Sequence, residues 1–245
     1  MDAGGGGGFT LTVSTQFVAS ITIFYTALGG ADITNISLTT ESKAGTGAFS
    51  RSGLGFQPNF LLVFSTLATA LNTNTANSSF NIGYTDGTNA ALASTFCNGA
   101  AATSQCGTYV RGAASQLEIL AMMSSNTAVS NRYSFTSFDV GGITLNKDES
   151  ATTDLIFALA IKGGQWNVGT WTAPGTAIAF TGASGLSFQP VGVFTNAPKA
   201  TVQSVSDTGA ANARIGIGFF DGTNQGVAAT NGIDAIPAND RYANG

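Results

Sequence analysis

Short apolar runs separated by glycine, asparagine and aspartate recur along this chain every eight to fifteen residues. Residues 60–64 (Phe-Leu-Leu-Val-Phe), 21–25 (Ile-Thr-Ile-Phe-Tyr) and 155–159 (Leu-Ile-Phe-Ala-Leu) are compact and rich in strand formers. Residues 134–138 and 80–84 instead alternate polar and apolar at period two. Alternation of that kind buries one face of a strand, and evenly spaced short strands with turn residues between them indicate an all-β sandwich or barrel. No long stretch keeps a 3.6-residue period; residues 116–123 read equally well as a short helix or a buried strand. The strands expected are 9–11, 20–28, 35–40, 47–50, 59–65, 79–85, 90–95, 117–123 and 133–139.

The pattern repeats itself out of phase. Gly53-Leu54-Gly55-Phe56-Gln57-Pro58 returns as Gly185-Leu186-Ser187-Phe188-Gln189-Pro190. Ile82-Gly83-Tyr84-Thr85-Asp86-Gly87-Thr88-Asn89 returns as Ile217-Gly218-Phe219-Phe220-Asp221-Gly222-Thr223-Asn224, at nearly the same offset. Phe9-Thr10-Leu11 matches Ile143-Thr144-Leu145, and Gly29-Gly30 matches Gly163-Gly164, at an offset between those two. A fixed internal period decides the architecture before any local assignment does. The expectation is therefore tandem antiparallel β-sandwich repeats of about 134 residues, out of phase with the chain ends; eight or nine strands per unit is jelly-roll-sized. Residues 42–164 would form the complete sandwich. Residues 1–41 would be the last strands of one partial repeat and 165–245 the first part of another. The two ends could complete each other within one chain or between neighbours, because open strand edges seek partners.

Composition narrows the function. At 245 residues two domains of ordinary size fit. Only 9% of residues are charged, and Ser, Thr and Asn supply much of the polarity, which suits a packed assembly. The nine Lys and Arg are scattered and the net charge is −4, so no basic patch exists to bind nucleic acid. The longest apolar run, 155–161, is far short of the ~20 residues of a membrane helix. The opening Met1-Asp2-Ala3 and five glycines have no basic stretch, so a secretory signal is not expected. The glycines read as a flexible linker.

Three marks together resemble a repeat found in virion proteins of tailed bacteriophages. They are Gly-Leu-Gly-Phe-Gln-Pro before an apolar strand, Ser137-Phe138-Asp139-Val140-Gly141-Gly142-Ile143-Thr144-Leu145, and the strand 155–162 closed by Gly163-Gly164. The resemblance covers about 120 residues once and much of the rest in partial copies. This chain departs from the pattern in carrying Asn59 and Val191 where a charged residue often follows the first motif. The resemblance implies a non-enzymatic structural component of a capsid, its decoration, a tail or a fibre, located in the virion. Its partners would be further copies or other virion proteins. A carbohydrate-binding adhesin module that meets a host glycan is the alternative. No catalytic residues come with the resemblance.

Candidate chemistry is sparse. The chain has no histidine, which removes a Ser-His-Asp triad and histidine metal ligands. Paired carboxylates as in glycosidases remain, and the one acidic cluster is Asp148, Glu149 and Asp154, read as a solvated loop. No cofactor or metal site is expected. Asp86-Gly87-Thr88-Asn89 and Asp221-Gly222-Thr223-Asn224 offer oxygens to calcium, but Asp-Gly between strands is first a hairpin turn. Cys97 and Cys106 flank a loop-like stretch and are either bridged or two free thiols. Trp166 and Trp171 serve inter-domain packing, a subunit contact or a glycan platform. With Phe9, Leu11, Ile21 and Ile23 they are the interface candidates.

Overall fold

The computed structural model describes residues 27, 30–66, 68–71, 77–98, 105–112, 117–125, 128–171, 184–198, 210–211 and 213–232. The strands expected at 9–11 and 20–28, and with them Phe9, Leu11, Ile21 and Ile23, lie outside these residues apart from Ala27. The described chain is all-β. Its strands are β1 (Ile33–Ser42), β2 (Gly47–Arg51), β3 (Phe60–Ser65), β4 (Asn77–Thr85), β5 (Ala90–Asn98), β6 (Gln105–Gly112) and β7 (Glu118–Met123). They continue with β8 (Val129–Asp139), β9 (Gly142–Ser150), β10 (Leu155–Gly163), β11 (Val193–Pro198), β12 (Ala210–Ala211), β13 (Ala213–Phe220) and β14 (Gln225–Gly232).

Three antiparallel sheets result. The largest has the order β1-β10-β3-β4-β5-β6-β12, the second β2-β9-β8-β7, the third β11-β13-β14. The large sheet is the middle layer, because both of its faces are apolar. Leu61 and Val63 of β3 and Ile156, Ala158 and Ala160 of β10 point inward, where they meet Ile119, Leu120 and Met122 of β7, Tyr133 and Phe135 of β8 and Ile143 and Leu145 of β9. The opposite face presents Ile82 and Ala93, which pack on Ile215 of β13, with Leu62, Phe80 and Tyr84 around them. The Tyr84 ring meets Phe194 of β11 at 5.2 Å. Removing such side chains from water contributes about 1.5–3 kcal/mol each, which is what holds the layers.

Within 116–123, Glu118–Met123 form the strand β7 and are all buried, so an amphipathic helix would have no exposed face to offer there. Two differences from the expectation are instructive. β1 pairs with β10 along nearly its whole length, so residues 33–41 belong to the same sheet as 42–164 and not to a separate partial sandwich. β6, absent from the expected strands, pairs with β5 from Ala91↔Gly112 to Asn98↔Gln105. Cys97 and Cys106 stand opposite each other in that pairing and are disulfide-bonded.

The third sheet copies the pairing of the first three central strands. Leu61↔Thr85 in β3–β4 corresponds to Val193↔Phe220 in β11–β13. Thr85↔Ala90 in β4–β5 corresponds to Phe220↔Gln225 in β13–β14. β12 joins the third sheet's segment to the middle layer through Ala210↔Thr108 and Ala211↔Gly107.

Close approach of the layers depends on one glycine. A Cβ on Gly83 of β4 would overlap the backbone oxygen of Ile119 in β7. Gly83→Ala is expected to cost about 3 kcal/mol, since an overpacked backbone contact must be relieved by moving a strand. At Gly216 an added Cβ meets neighbours only at 3.7 Å and beyond. Gly216→Ala should stay within about 0.5 kcal/mol of the natural chain. Urea denaturation of both variants checks the contrast.

Candidate functional site

All three marks of the resemblance, with the Asp86 turn, meet at one end of the sandwich. Residues 53–58 lead into β3. There the Gln57 Nε2 amide donates to the Phe138 carbonyl at 2.7 Å, and the Leu54 N–H donates to the Gly141 carbonyl at 2.9 Å. Both acceptors belong to the β8–β9 hairpin, in the other sheet. The Asn59 N–H donates to Ile161 O at 2.8 Å, and its Oδ1 accepts from the Gly163 N–H at 2.7 Å. The first motif thus clamps the end of β10 to the hairpin of the second sheet. Phe56 is buried beneath it.

The Asp139 carboxylate fixes the hairpin, accepting from Ser137 Oγ at 2.7 Å and Thr144 Oγ1 at 2.6 Å. These two hydroxyls hold its carboxyl below the ordinary aspartate range. Next to it, Asp86 Oδ1 accepts from the Thr88 and Asn89 N–H groups at 2.9 and 2.7 Å. Asp221 Oδ1 does the same for Thr223 and Asn224 at 3.0 and 2.6 Å. Gly87 and Gly222 both take φ +89°, a conformation that strains any other residue. These are Asx-type turns with the aspartate oxygens already used, so they serve as turns and no calcium set gathers there. Among the described residues no three Asp, Glu or Cys side chains cluster to hold a metal.

Asp86 has one further role. Its Oδ2 accepts from the Val168 N–H at 2.8 Å, tying the segment after β10 to the β4–β5 turn. Trp166, on that segment, stacks on Phe60 at 4.2 Å and donates from Nε1 to Gly163 O at 2.7 Å. It packs within its own chain, half-buried, while Trp171 is 45% exposed at the end of the segment. Between these parts lies an open depression of about 420 Å³ lined by Gln57, Pro58, Asn59, Asp86, Phe138 and Lys162.

The acidic cluster is not a solvated loop. Asp148 and Glu149 are in β9, and Asp154 is 2% exposed. Asp154 Oδ1 accepts from Lys147 Nζ at 2.6 Å and from the Tyr133 hydroxyl at 2.8 Å. The fully buried Lys147 ammonium also donates to the Lys43 and Thr152 carbonyls at 2.8 and 2.7 Å. Its three protons are all committed, which is the signature of a structural ion pair rather than a base. Burial pushes the Asp154 carboxyl up, with Lys147 and Tyr133 pulling against it. A second buried pair joins Arg111 Nε to Glu118 Oε2 at 2.7 Å, with Arg132 nearby at 3.6 Å and itself bonded to Glu149. Sequence reasoning missed both pairs. Lys147 shares the inward parity of Ile143 and Leu145, which was a readable sign of its burial.

The chain matches no family model, and no curated protein or solved structure is significantly similar to it.

The buried charges make stability depend on pH. Lys147→Met should cost about 3–5 kcal/mol at pH 8, because it strands a buried carboxylate. The loss should shrink at pH 5, since an already raised Asp154 carboxyl then takes up a proton; chemical denaturation at both pH values reads the difference. Asp139 and Asp221 titrate in the opposite sense. Their folded carboxyls lie below the unfolded value, so the stability they contribute is present above about pH 4 and is lost as pH falls through the lower folded value. Asp139→Asn and Asp221→Asn should each flatten the acid limb of a stability–pH profile measured from pH 6 to pH 2.

Proposed function

We propose that this chain is a non-enzymatic structural protein of a phage particle, built from tandem jelly-roll-like repeats. The observation that carries the reading is where the three shared motifs lie. The first two bond to each other across two sheets, the third is bonded to Asn59 just after the first, and none leaves a nucleophile, a base or a metal set free among the described residues. The equal register of β3–β4–β5 and β11–β13–β14 supports the tandem repeat, with the small difference between the two motif offsets absorbed between β11 and β13. The low charge supports a role in a packed assembly. Sheet edges and exposed apolar side chains such as Val193, Phe220, Val227 and Trp171 are the means of assembly with further copies or other virion proteins.

A second reading has one observation in its favour. The depression at the motif junction sets amide, carboxylate and ammonium side chains beside the Phe138 ring, a combination that suits a sugar. On that reading the chain is a carbohydrate-binding adhesin module.

The recombinant chain is expected to form regular oligomers or filaments in light scattering and micrographs, and to be present in purified particles by mass spectrometry. A monodisperse monomer absent from particles would overturn the structural reading. Glycan-array binding abolished by Gln57→Ala, with no self-association, would establish the adhesin instead.

A further inference from the structure

Attachments of the third sheet to the middle sheet gather around the disulfide. Ala210 and Ala211 of β12 pair with Thr108 and Gly107 of β6, the two residues after Cys106. The Arg214 N–H of β13 donates to Thr108 Oγ1 at 3.1 Å. Ile215 packs on Ile82 and Ala93, and Ala213 is buried beside it. β14 ends at Gly232, opposite Ala213. A Cβ built on Gly232 would overlap the Cys97 sulfur and stand 3.0 Å from that of Cys106. The backbone of β14 therefore rests on the S–S bond.

The fit is to bridged sulfurs. Cys97 and Cys106 are directly opposed in the β5–β6 pairing, with Cα atoms 4.2 Å apart. Bonded sulfurs are separated by about 2 Å, whereas two thiols keep van der Waals distance, about 3.5 Å or more. Gly232 has no side chain to withdraw, so parted thiols displace its backbone. Equivalent positions of the two copies meet here. Cys97 and Gly232 each stand at the same distance after the aspartate of an Asp-Gly-Thr-Asn turn. The copy with cysteine supplies the bridge, and the copy with glycine supplies the space.

We propose that the Cys97–Cys106 disulfide is a redox-sensitive seat for the third sheet. Oxidised, it holds that sheet on the middle one; reduction by a dithiol releases it. Cys97 is half-buried and Cys106 is 4% exposed, so attack falls on Cys97. A thiolate of the dithiol bonds to Cys97 Sγ, the S–S bond breaks, and its electron pair leaves on Cys106 Sγ, which takes up a proton. The dithiol's second thiolate then bonds to the first dithiol sulfur, and Cys97 Sγ leaves and takes up a proton. The protein gains two electrons and two protons, and the dithiol becomes its own disulfide.

Docking and bridging are thereby coupled, and such coupling is reciprocal. A bridge that favours docking is itself favoured by docking. Weakening the seat from the β14 side therefore makes the bridge easier to reduce. The core that β3 and β10 share with β7, β8 and β9 lies outside this switch. The inference is independent of any particle role.

Hydrogen exchange of the unaltered chain, oxidised and after treatment with dithiothreitol, tests the release. Amides of β13 and β14 are expected to exchange about tenfold faster in the reduced chain, with β8, β9 and β10 unchanged. Equal exchange in the two states would overturn the proposal. So would an acceleration as large in β8, β9 and β10, which would mean that the bridge stabilises the fold as a whole. Titration against mixtures of reduced and oxidised dithiothreitol tests the coupling, with closed bridges counted by alkylation and mass. Gly232→Ala should reach half reduction at a reduced-to-oxidised ratio about tenfold lower than the natural chain. Gly216→Ala, whose added Cβ has room, should keep the natural midpoint. A midpoint unmoved by Gly232→Ala, or moved as far by Gly216→Ala, would refute the coupling even if reduction were faster, because shielding alters a rate and not an equilibrium. Protection in β8, β9 and β10 verifies that each variant is folded, and the first measurement needs no variant.

Discussion

A β-sheet with two apolar faces must be covered twice. The middle sheet of this protein is under that constraint, and the rest of the architecture follows from it. One face is closed by the four strands around β7 and β8, the other in part by the short third sheet. Gly83 sets how near the first cover can come, since its missing side chain admits the β7 backbone. On the opposite side the third sheet seats itself by Ile215 and Phe194, and a Cβ at Gly232 of β14 would run into the Cys97 and Cys106 sulfurs.

Charge is scarce in this chain, yet part of it is spent inside. Lys147–Asp154 and Arg111–Glu118 are buried ion pairs with hydrogen bonds on most of their polar atoms. Such pairs add little net stability, because desolvation offsets the attraction. What they impose is order. Lys147 needs the residue 43 carbonyl as well as the residue 152 carbonyl and the Asp154 carboxylate, so it is satisfied only when two backbone segments besides its own strand are in place. The ends of β1, β9 and β10 are registered by that requirement.

Period-two alternation and turn residues made the strand positions readable, and the recurring motifs pointed to strands with matching registers. β6 was not readable, because Tyr109 and Val110 are its only large apolar residues and Arg111 argues for a surface loop. Glu118, on the next strand but in another sheet, is what permits the arginine to be buried; their meeting follows from how the sheets pack, which no hydrophobic pattern records. Asp154 misled for the same reason, its partner Lys147 lying across a turn. At the motif junction the residues were visible but not their purpose. Gln57, Asn59 and Asp86 read as local turn and strand-start residues. Their contacts are with Phe138, Gly163 and Val168, all far along the chain.

The two Asp-Gly-Thr-Asn turns are nearly superimposable in their internal bonds, yet they differ in one outward bond. Asp86 offers its second oxygen to the Val168 N–H and so catches the segment that leaves β10. Asp221 offers the same oxygen to Asn224 and, among the described residues, to no other segment. Among the described residues the first turn works as a latch, while the second keeps its carboxylate bonds within the turn. The same four-residue turn can therefore reverse the chain alone, or reverse it and fasten a distant segment, according to what passes beside its second oxygen.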